Sequence, residues 1–214
     1  MTKAPTKESL VIQGPAGNLE ALLEIPDGAD GGRVAVICHP HPQHQGSMLN
    51  KVVHTLARAM NDLGLPALRF NFRGVGGSDG EYADGQGEID DVEAVVAYVR
   101  KRWPDADLWL AGFSFGAVIA ARAAVRLAPA QLVSIAPAVN ILGRELVAIP
   151  TMPWLIVQGD SDDVVPANDV IEWVAKLDPQ PELLVMPGVG HFFHGYLVSL
   201  REILVSTLPL QRKN

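Results

Sequence analysis

The chain has 214 residues, of which 48% are hydrophobic, and a formal net charge of −7. This length suits one domain with a large core and is short for two, and the hydrophobic content favours a sheet buried on both faces over a disordered or fibrous chain. The negative charge argues against nucleic acid and against an anionic membrane surface as the main partner.

The single cysteine and the lengths of the apolar segments further restrict the class of protein. Cys38 stands alone, which excludes an internal disulfide and a thiolate zinc cluster, and we expect it to be a small buried residue at a strand end. Residues 1–10 lack the apolar core of a signal peptide, and no apolar run approaches the ~20 residues of a membrane helix. We therefore expect one cytoplasmic domain over residues 1–214. The sequence does not decide between a monomer and a homodimer.

Hydrophobic patterning predicts eight strands, of which the first two form a hairpin. In chain order the strands are predicted at residues 9–12, 19–25, 33–38, 65–72, 107–113, 132–135, 154–157 and 182–186. Helices are predicted over residues 50–63, 88–103, 117–124, 168–177 and 194–208. After the hairpin, strands alternate with helices, which predicts right-handed crossovers and a mostly parallel sheet flanked by helices. In such a sheet the site lies beyond the carboxyl ends of the strands, and the polar motifs of this chain follow strands.

The sequence GFSFG at residues 112–116 has the setting of a nucleophile elbow. A strand-length apolar run precedes it and an Ala-rich segment with strong helix propensity follows. A sharp strand-to-helix turn would lift the Ser114 hydroxyl above the sheet, and Gly112 and Gly116 would let strand and helix pass closely. The helix N-terminus would present free N–H groups where an oxyanion forms.

A serine nucleophile needs a base, and the base needs an orienting carboxylate. Downstream of Ser114 the histidines are His191 and His194, and His191 is favoured because it lies on a loop that follows a strand. For the acid, three aspartates follow the seventh strand at positions 160, 162 and 163, and the residues alone do not choose among them. Glu145, after the sixth strand, is a rival.

Four segments resemble motifs of the α/β-hydrolase superfamily across almost the whole chain. They are GFSFG at residues 112–116, GDSDDVVP at 159–166, GVGHFF at 188–193 and NFRGVGGS at 71–78. The resemblance implies the α/β-hydrolase fold and places the acid at Asp162. The segments HPHP at 39–42 and RFNFRGVG at 69–76 are similar to one group of small bacterial hydrolases without a lid domain. Asn71 departs from the superfamily pattern, in which many members carry Asp.

The resemblance also implies an oxyanion hole after the elbow and after the third strand. One donor is expected to be the backbone N–H of Phe115. Pro40 and Pro42 have no N–H, so His41 or Gln43 must supply the second donor. His41 is favoured because it lies two residues beyond the strand, as in family members with a His-Gly-x loop.

Two further segments partly resemble a metal-binding signature and a dinucleotide-binding fingerprint, but each departs from the motif at a key position. Residues 39–44 have the histidine spacing of a metallo-β-lactamase-like metal signature, but Gln43 stands in the aspartate position and is a poor zinc ligand. The partial fingerprint Gly-x-Gly at residues 74–76 has Asp79 where the third glycine belongs, and no helix follows at once. No cofactor and no metal are implied.

The sequence therefore predicts a serine hydrolase that cleaves small carboxylic esters or thioesters through Ser114, His191 and Asp162. A peptidase or amidase acting on short peptides is the enzymatic alternative, because the same triad cleaves amides. A non-catalytic binding protein on a hydrolase scaffold is the other alternative, and the filled triad positions argue against it.

Overall fold

The fold is built on one sheet of eight strands, seen in a computed structural model that describes residues 4–29, 31–140 and 148–208. The strands are β1 Thr6–Gly14, β2 Gly17–Ile25, β3 Arg33–Cys38, β4 Ala67–Phe70, β5 Asp107–Phe113, β6 Gln131–Ile135, β7 Trp154–Gly159 and β8 Glu182–Met186. The α-helices of the described residues are α1 Lys51–Asp62, α2 Gln86–Arg102, α3 Phe115–Leu127, α4 Ala167–Val174 and α5 Leu197–Thr207. A short 3₁₀ helix covers Pro42–His44.

The strand order is β1-β2-β4-β3-β5-β6-β7-β8. β2 pairs antiparallel with β1 and with β4, and every other neighbouring pair is parallel. The prediction of an eight-stranded, mostly parallel sheet is confirmed. The carboxyl ends of β3 to β8 open at one edge, where the loops that follow them can meet.

Helices cover the sheet on both faces, as the apolar strands predicted. In β3, Val34 and Val36 pack into a core with α2, α3 and α4, whereas Ala35 and Ile37 pack into a second core with α1 and α5. Side chains alternate between the faces of a strand, so a strand buried on both sides needs apolar residues throughout. Cys38 is fully buried at the end of β3, as expected.

Several boundaries differ from the sequence prediction, and the backbone gives the reason for three of these differences. The hairpin strands are longer, because Gly14 pairs with Gly17 across a two-residue turn. β4 is shorter at both ends, and after it ends the Phe72 N–H donates to the His39 ring at 3.0 Å and not to a neighbouring strand. α5 begins at residue 197 instead of 194, because Gly195 has a φ of 80°, which a right-handed helix cannot contain.

The connection between β6 and β7 spans residues 136–153 and is too short to contain a lid domain. Among the residues that the structure describes, no inserted lid domain covers the carboxyl edge of the sheet, as predicted. Within the described ranges, no helix has the length and apolar character needed to cross a bilayer.

Candidate active site

Ser114 lies on the turn between β5 and α3 in a backbone conformation that residues other than glycine rarely adopt. Its φ is 55° and its ψ is −116°, and such backbone strain costs on the order of 1–3 kcal/mol. A Cβ on Gly112 would lie 2.2 Å from the Gly116 carbonyl oxygen, and a Cβ on Gly116 would lie 2.4 Å from the His39 carbonyl oxygen. Both glycines are thus required by close backbone approach, and the strand–turn–helix context predicted for residues 112–116 is present.

His191 joins Ser114 to Asp162 in one chain of hydrogen bonds. Its Nε2 lies 3.0 Å from Ser114 Oγ, and its Nδ1 lies 2.8 Å from Asp162 Oδ2. All three side chains are buried. A carboxylate can only accept, so Nδ1 carries the proton of the neutral ring and Nε2 is left to accept from the serine hydroxyl. This is the arrangement in which a histidine can remove a proton from serine.

Asp162 is held in place by three donors besides His191. Its Oδ2 accepts from Gln158 Nε2 at 2.9 Å, and its Oδ1 accepts from the backbone N–H groups of Val164 at 2.9 Å and Val165 at 2.7 Å. Burial raises the pKa of Asp162, but the hydrogen bonds from His191 and Val165 outweigh it and leave that pKa below its usual value. The carboxyl group is therefore ionised at neutral pH. Sequence reasoning missed Gln158, which lies at the end of β7 without any motif to mark it.

The other acidic candidates lie elsewhere. Asp160 Oδ1 accepts from Gly188 N–H at 2.7 Å and from Ser161 Oγ at 2.9 Å, so it fixes the turn after β8. Asp163 is exposed. Glu145 lies outside the described residues. Among the three aspartates, the fold brings only Asp162 to His191.

The alternative histidine, His194, takes no part in this chain of hydrogen bonds. Its ring stacks on Phe192, with ring centroids 5.8 Å apart. The favoured histidine of the sequence analysis is therefore the one that the structure brings to Ser114.

The two predicted oxyanion donors belong to neighbouring segments. The rings of His41 and Phe115 lie 4.8 Å apart, so the loop after β3 packs against the start of α3. The backbone N–H groups of both residues are free of hydrogen-bond partners within the described ranges. Gln43 N–H instead donates to His41 Nδ1 at 3.2 Å. This geometry leaves Phe115 and His41 available as donors, and their role stays a prediction.

His39 ties the ends of β3 and β4 together beneath the site. Its Nδ1 donates to the Pro40 carbonyl oxygen at 2.6 Å, and its Nε2 accepts from the Phe72 N–H at 3.0 Å. Burial lowers the pKa of His39 to about 4, so the ring is neutral. With both nitrogens engaged, His39 has none left for a metal ion. Within the described ranges, no three His, Cys, Asp or Glu side chains form a group suited to hold one.

The segment at residues 69–76 has a structural role that its motif did not reveal. Arg69 forms a buried ion pair with Glu24 at 2.8 Å and donates to the Met48 carbonyl oxygen at 2.7 Å. Asn71 accepts from Met48 N–H at 2.8 Å and donates to Glu20 at 2.7 Å. These contacts fasten the loop that precedes α1 to strands β2 and β4.

Comparison with known proteins adds a family and several close structures. The family described as "Serine aminopeptidase, S33" matches residues 33–150. An α/β serine hydrolase homologue from Coxiella burnetii is 48% identical, with a TM-score of 0.91 over 98% of this chain and 99% of that one. A member of the α/β serine hydrolases without a lid, from Xanthomonas campestris, is 44% identical, with a TM-score of 0.88 over 92% of this chain and 91% of that one.

A more distant structure has the same fold. Est1E from Butyrivibrio proteoclasticus, solved with ferulic acid bound, is 21% identical, with a TM-score of 0.82 over 92% of this chain and 96% of that one. At this identity the likeness concerns the fold alone.

Proposed function

The chain belongs to the α/β serine hydrolases, and from this premise we propose that Ser114, His191 and Asp162 form a catalytic triad that hydrolyses carboxylic esters or thioesters. The observation that carries the proposal is the 3.0 Å contact between Ser114 Oγ and His191 Nε2 at a strained strand-to-helix turn. A serine that merely completes a core has no reason to occupy that backbone conformation beside a histidine oriented by a buried carboxylate.

Acylation begins when Ser114 Oγ attacks the substrate carbonyl carbon and His191 Nε2 takes the hydroxyl proton. The tetrahedral oxyanion accepts hydrogen bonds from the backbone N–H groups of Phe115 and His41. His191 then gives the proton to the leaving oxygen or sulfur as its bond to carbon breaks, which leaves an acyl group on Ser114. Asp162 keeps the proton on Nδ1 and stabilises the transient imidazolium.

Deacylation repeats these steps with water in place of the leaving group. His191 takes a proton from water, the hydroxide oxygen attacks the acyl carbon, and the proton returns to Ser114 Oγ as the acid departs. The ionised state of Asp162, favoured by its lowered pKa, is the state that both halves of the cycle require.

Ester or thioester cleavage is our choice within the family because an alkoxide or thiolate leaves the tetrahedral intermediate more readily than an amine, which must be protonated first. A small ester or thioester is the proposed substrate, and neither nucleic acid nor a membrane is a proposed partner. The proposed setting is the cytoplasm.

Cleavage of short peptides is the second candidate, and the description of the matching family favours it. The same triad attacks an amide, but the leaving amine must be protonated before the carbon–nitrogen bond breaks. Ester and amide substrates with the same acyl group therefore separate the two candidates directly.

The test combines active-site labelling with a matched substrate series. Purified protein is treated with a fluorophosphonate probe and the modified residue is identified by mass spectrometry. Turnover is then measured on esters, thioesters and aminoacyl amides, with acyl chains of graded length. We expect a single label at Ser114, and we expect Ser114→Ala to remove it and to lower turnover on the order of 10⁴-fold or more.

Three results would contradict the proposal. Labelling that persists in Ser114→Ala would refute the nucleophile. Faster cleavage of the amide than of the matched ester would favour the peptidase. A protein that takes no label and turns over none of the substrates would be a binding protein on a hydrolase scaffold.

A further inference from the structure

Three aromatic rings form a cluster beside the nucleophile. The ring of His191 lies 5.0 Å from that of Phe113 and 5.1 Å from that of Phe192, and the rings of Phe113 and Phe192 lie 6.2 Å apart. Phe113 directly precedes Ser114 in the chain. Phe113 and His191 are buried, whereas Phe192 is 46% exposed. Phe192 is therefore the ring of this cluster that a bound molecule can reach.

The local backbone fixes the outward position of Phe192. The next residue, Phe193, has a φ of 53° and is fully buried in the core with α1 and α5. Phe193 N–H donates to the Gly190 carbonyl oxygen at 3.0 Å. Phe193 thus packs in the core, whereas Phe192 lies beside His191 with its ring partly exposed. The ring of Phe192 also lies 5.8 Å from that of His194, with 22° between the ring planes.

The direction of proton transfer indicates which part of a substrate meets Phe192. His191 Nε2 must come within hydrogen-bond reach of the leaving oxygen, about 2.6–3.2 Å, to protonate it. The oxyanion faces the start of α3, where the free N–H of Phe115 lies. The group carried by the leaving oxygen therefore passes along His191, and the acyl substituent occupies the remaining direction. An aromatic ring at this place favours a flat, apolar leaving group, because aromatic pairs attract each other beyond their buried area.

We propose that Phe192 is the specificity-determining contact for the leaving group and that the site prefers esters of aryl-methyl alcohols over esters of short alkyl alcohols. This inference rests on the proposed function. It assigns the side chain of Phe192 to binding and gives it no share in the proton transfers.

The test compares esters that differ on only one side of the carbonyl. Benzyl acetate and ethyl acetate give the same acetyl-enzyme, so a difference in kcat/KM between them arises before the alcohol leaves. Ethyl phenylacetate places the ring on the acyl side. We expect the wild-type protein to prefer benzyl acetate, and we expect Phe192→Ala to reduce the benzyl-to-ethyl ratio roughly three- to tenfold, the worth of one aromatic contact.

Two variants serve as controls. Phe192→Tyr keeps the ring and should keep the ratio. Tyr196 is 39% exposed in the same loop region, and among the described residues the ring contacts of His191 are made by the phenylalanines at 113 and 192. Tyr196→Ala should therefore leave the ratio unchanged. Thermal unfolding and fluorophosphonate labelling of Ser114 verify that each variant is folded with a competent nucleophile.

The outcomes separate this inference from the proposed function. A benzyl-to-ethyl ratio that is unchanged in Phe192→Ala would overturn the inference alone. A fall confined to the ratio of ethyl phenylacetate to ethyl acetate would overturn it too, since Phe192 would then contact the acyl group. A wild-type protein that takes no label and hydrolyses none of the three esters would refute the proposed function, and the inference would fall with it.

Discussion

Replacing Asp162 by Asn removes one of two acceptor oxygens at a point where both are fully used. One oxygen accepts from His191 Nδ1 and Gln158 Nε2, and the other accepts from the N–H groups of Val164 and Val165. The carboxamide has a single oxygen, so its NH₂ group must face one of these donor pairs. Backbone N–H groups cannot turn away, and leaving the buried N–H of Val165 without a partner costs about 1–3 kcal/mol. We therefore expect the amide oxygen to stay with the backbone and the NH₂ group to face His191.

That orientation changes the tautomer of His191. Facing an NH₂ donor, Nδ1 must accept, which moves the ring proton to Nε2 and aims it at Ser114 Oγ. A histidine in this state cannot take the serine proton. The same change in a serine protease triad lowers kcat about 10⁴-fold. We expect Asp162→Asn to lose roughly 10³–10⁴-fold in the acylation rate, about 4–5.5 kcal/mol of transition-state stabilisation, with little change in KM.

The assay is the pre-steady-state acylation rate with a 4-nitrophenyl ester, with Asp160→Asn and Asp163→Asn as matched controls. Asp160 binds the turn after β8 and Asp163 is exposed, so each control should stay within about tenfold of the wild type. Glu145→Gln belongs in the same series. An Asp162→Asn variant within tenfold of the wild type, beside an inactive Asp163 or Glu145 variant, would show that another carboxylate orients His191.

Four further predictions follow from the site and the fold. His41→Pro removes a backbone donor and should lower kcat roughly 10²–10³-fold, whereas His41→Ala keeps the N–H and should lose at least tenfold less; equal losses in steady-state kinetics would refute the backbone role. Without a lid, the rate should show no jump when the substrate passes its solubility limit, and a sharp rise in a turnover series across that limit would indicate a mobile cover. Gly116→Ala would place a Cβ 2.4 Å from the His39 carbonyl oxygen and should destabilise the fold by several kcal/mol in urea unfolding; a loss under about 1 kcal/mol would contradict this close approach. The pKa of Asp162 is lower in the folded protein than its usual 3.8, so its ionised form stabilises the fold above pH 3.8, and this stabilisation is lost as the pH falls through the lowered pKa. Asp162→Asn should therefore flatten the acid side of the curve of unfolding free energy against pH, and an unchanged curve would contradict the lowered pKa.

Local pattern was sufficient to predict the fold class and the strand-to-helix turn that carries Ser114, the proposed nucleophile. Alternating strands and helices imply a parallel sheet whatever their exact bounds, and a Gly-x-Ser-x-Gly turn between a strand and a helix restricts Ser114 to one place on that sheet. His191 was favoured because the loop that holds it follows a strand, and parallel strands end at the same edge. These inferences needed only the spacing of residues along the chain and the backbone geometry of neighbouring residues.

Element bounds were less certain because long-range contacts set them. β4 ends where the backbone after it bonds to Glu20 and His39, which lie far away in the sequence. The role of Arg69 was hidden for the same reason, since Glu24, its buried ion-pair partner, is 45 residues distant. Nothing in a local motif indicates which carboxylate a buried arginine will meet.

The contact of Asp162 with His191 was determined by the tertiary structure. The three aspartates lie within four positions and have the same chemistry. No property of the residues themselves favoured the middle one, and only the resemblance to a family did. The fold separates them through the approach of two loops: a Cβ on Gly159 would lie 2.1 Å from the Val189 carbonyl oxygen, and Ser161 N–H donates to that same oxygen at 3.1 Å. Local N–H groups of Val164 and Val165 hold one oxygen of Asp162, but its contact with His191, 29 residues away, exists only because the loops after β7 and β8 are held this closely.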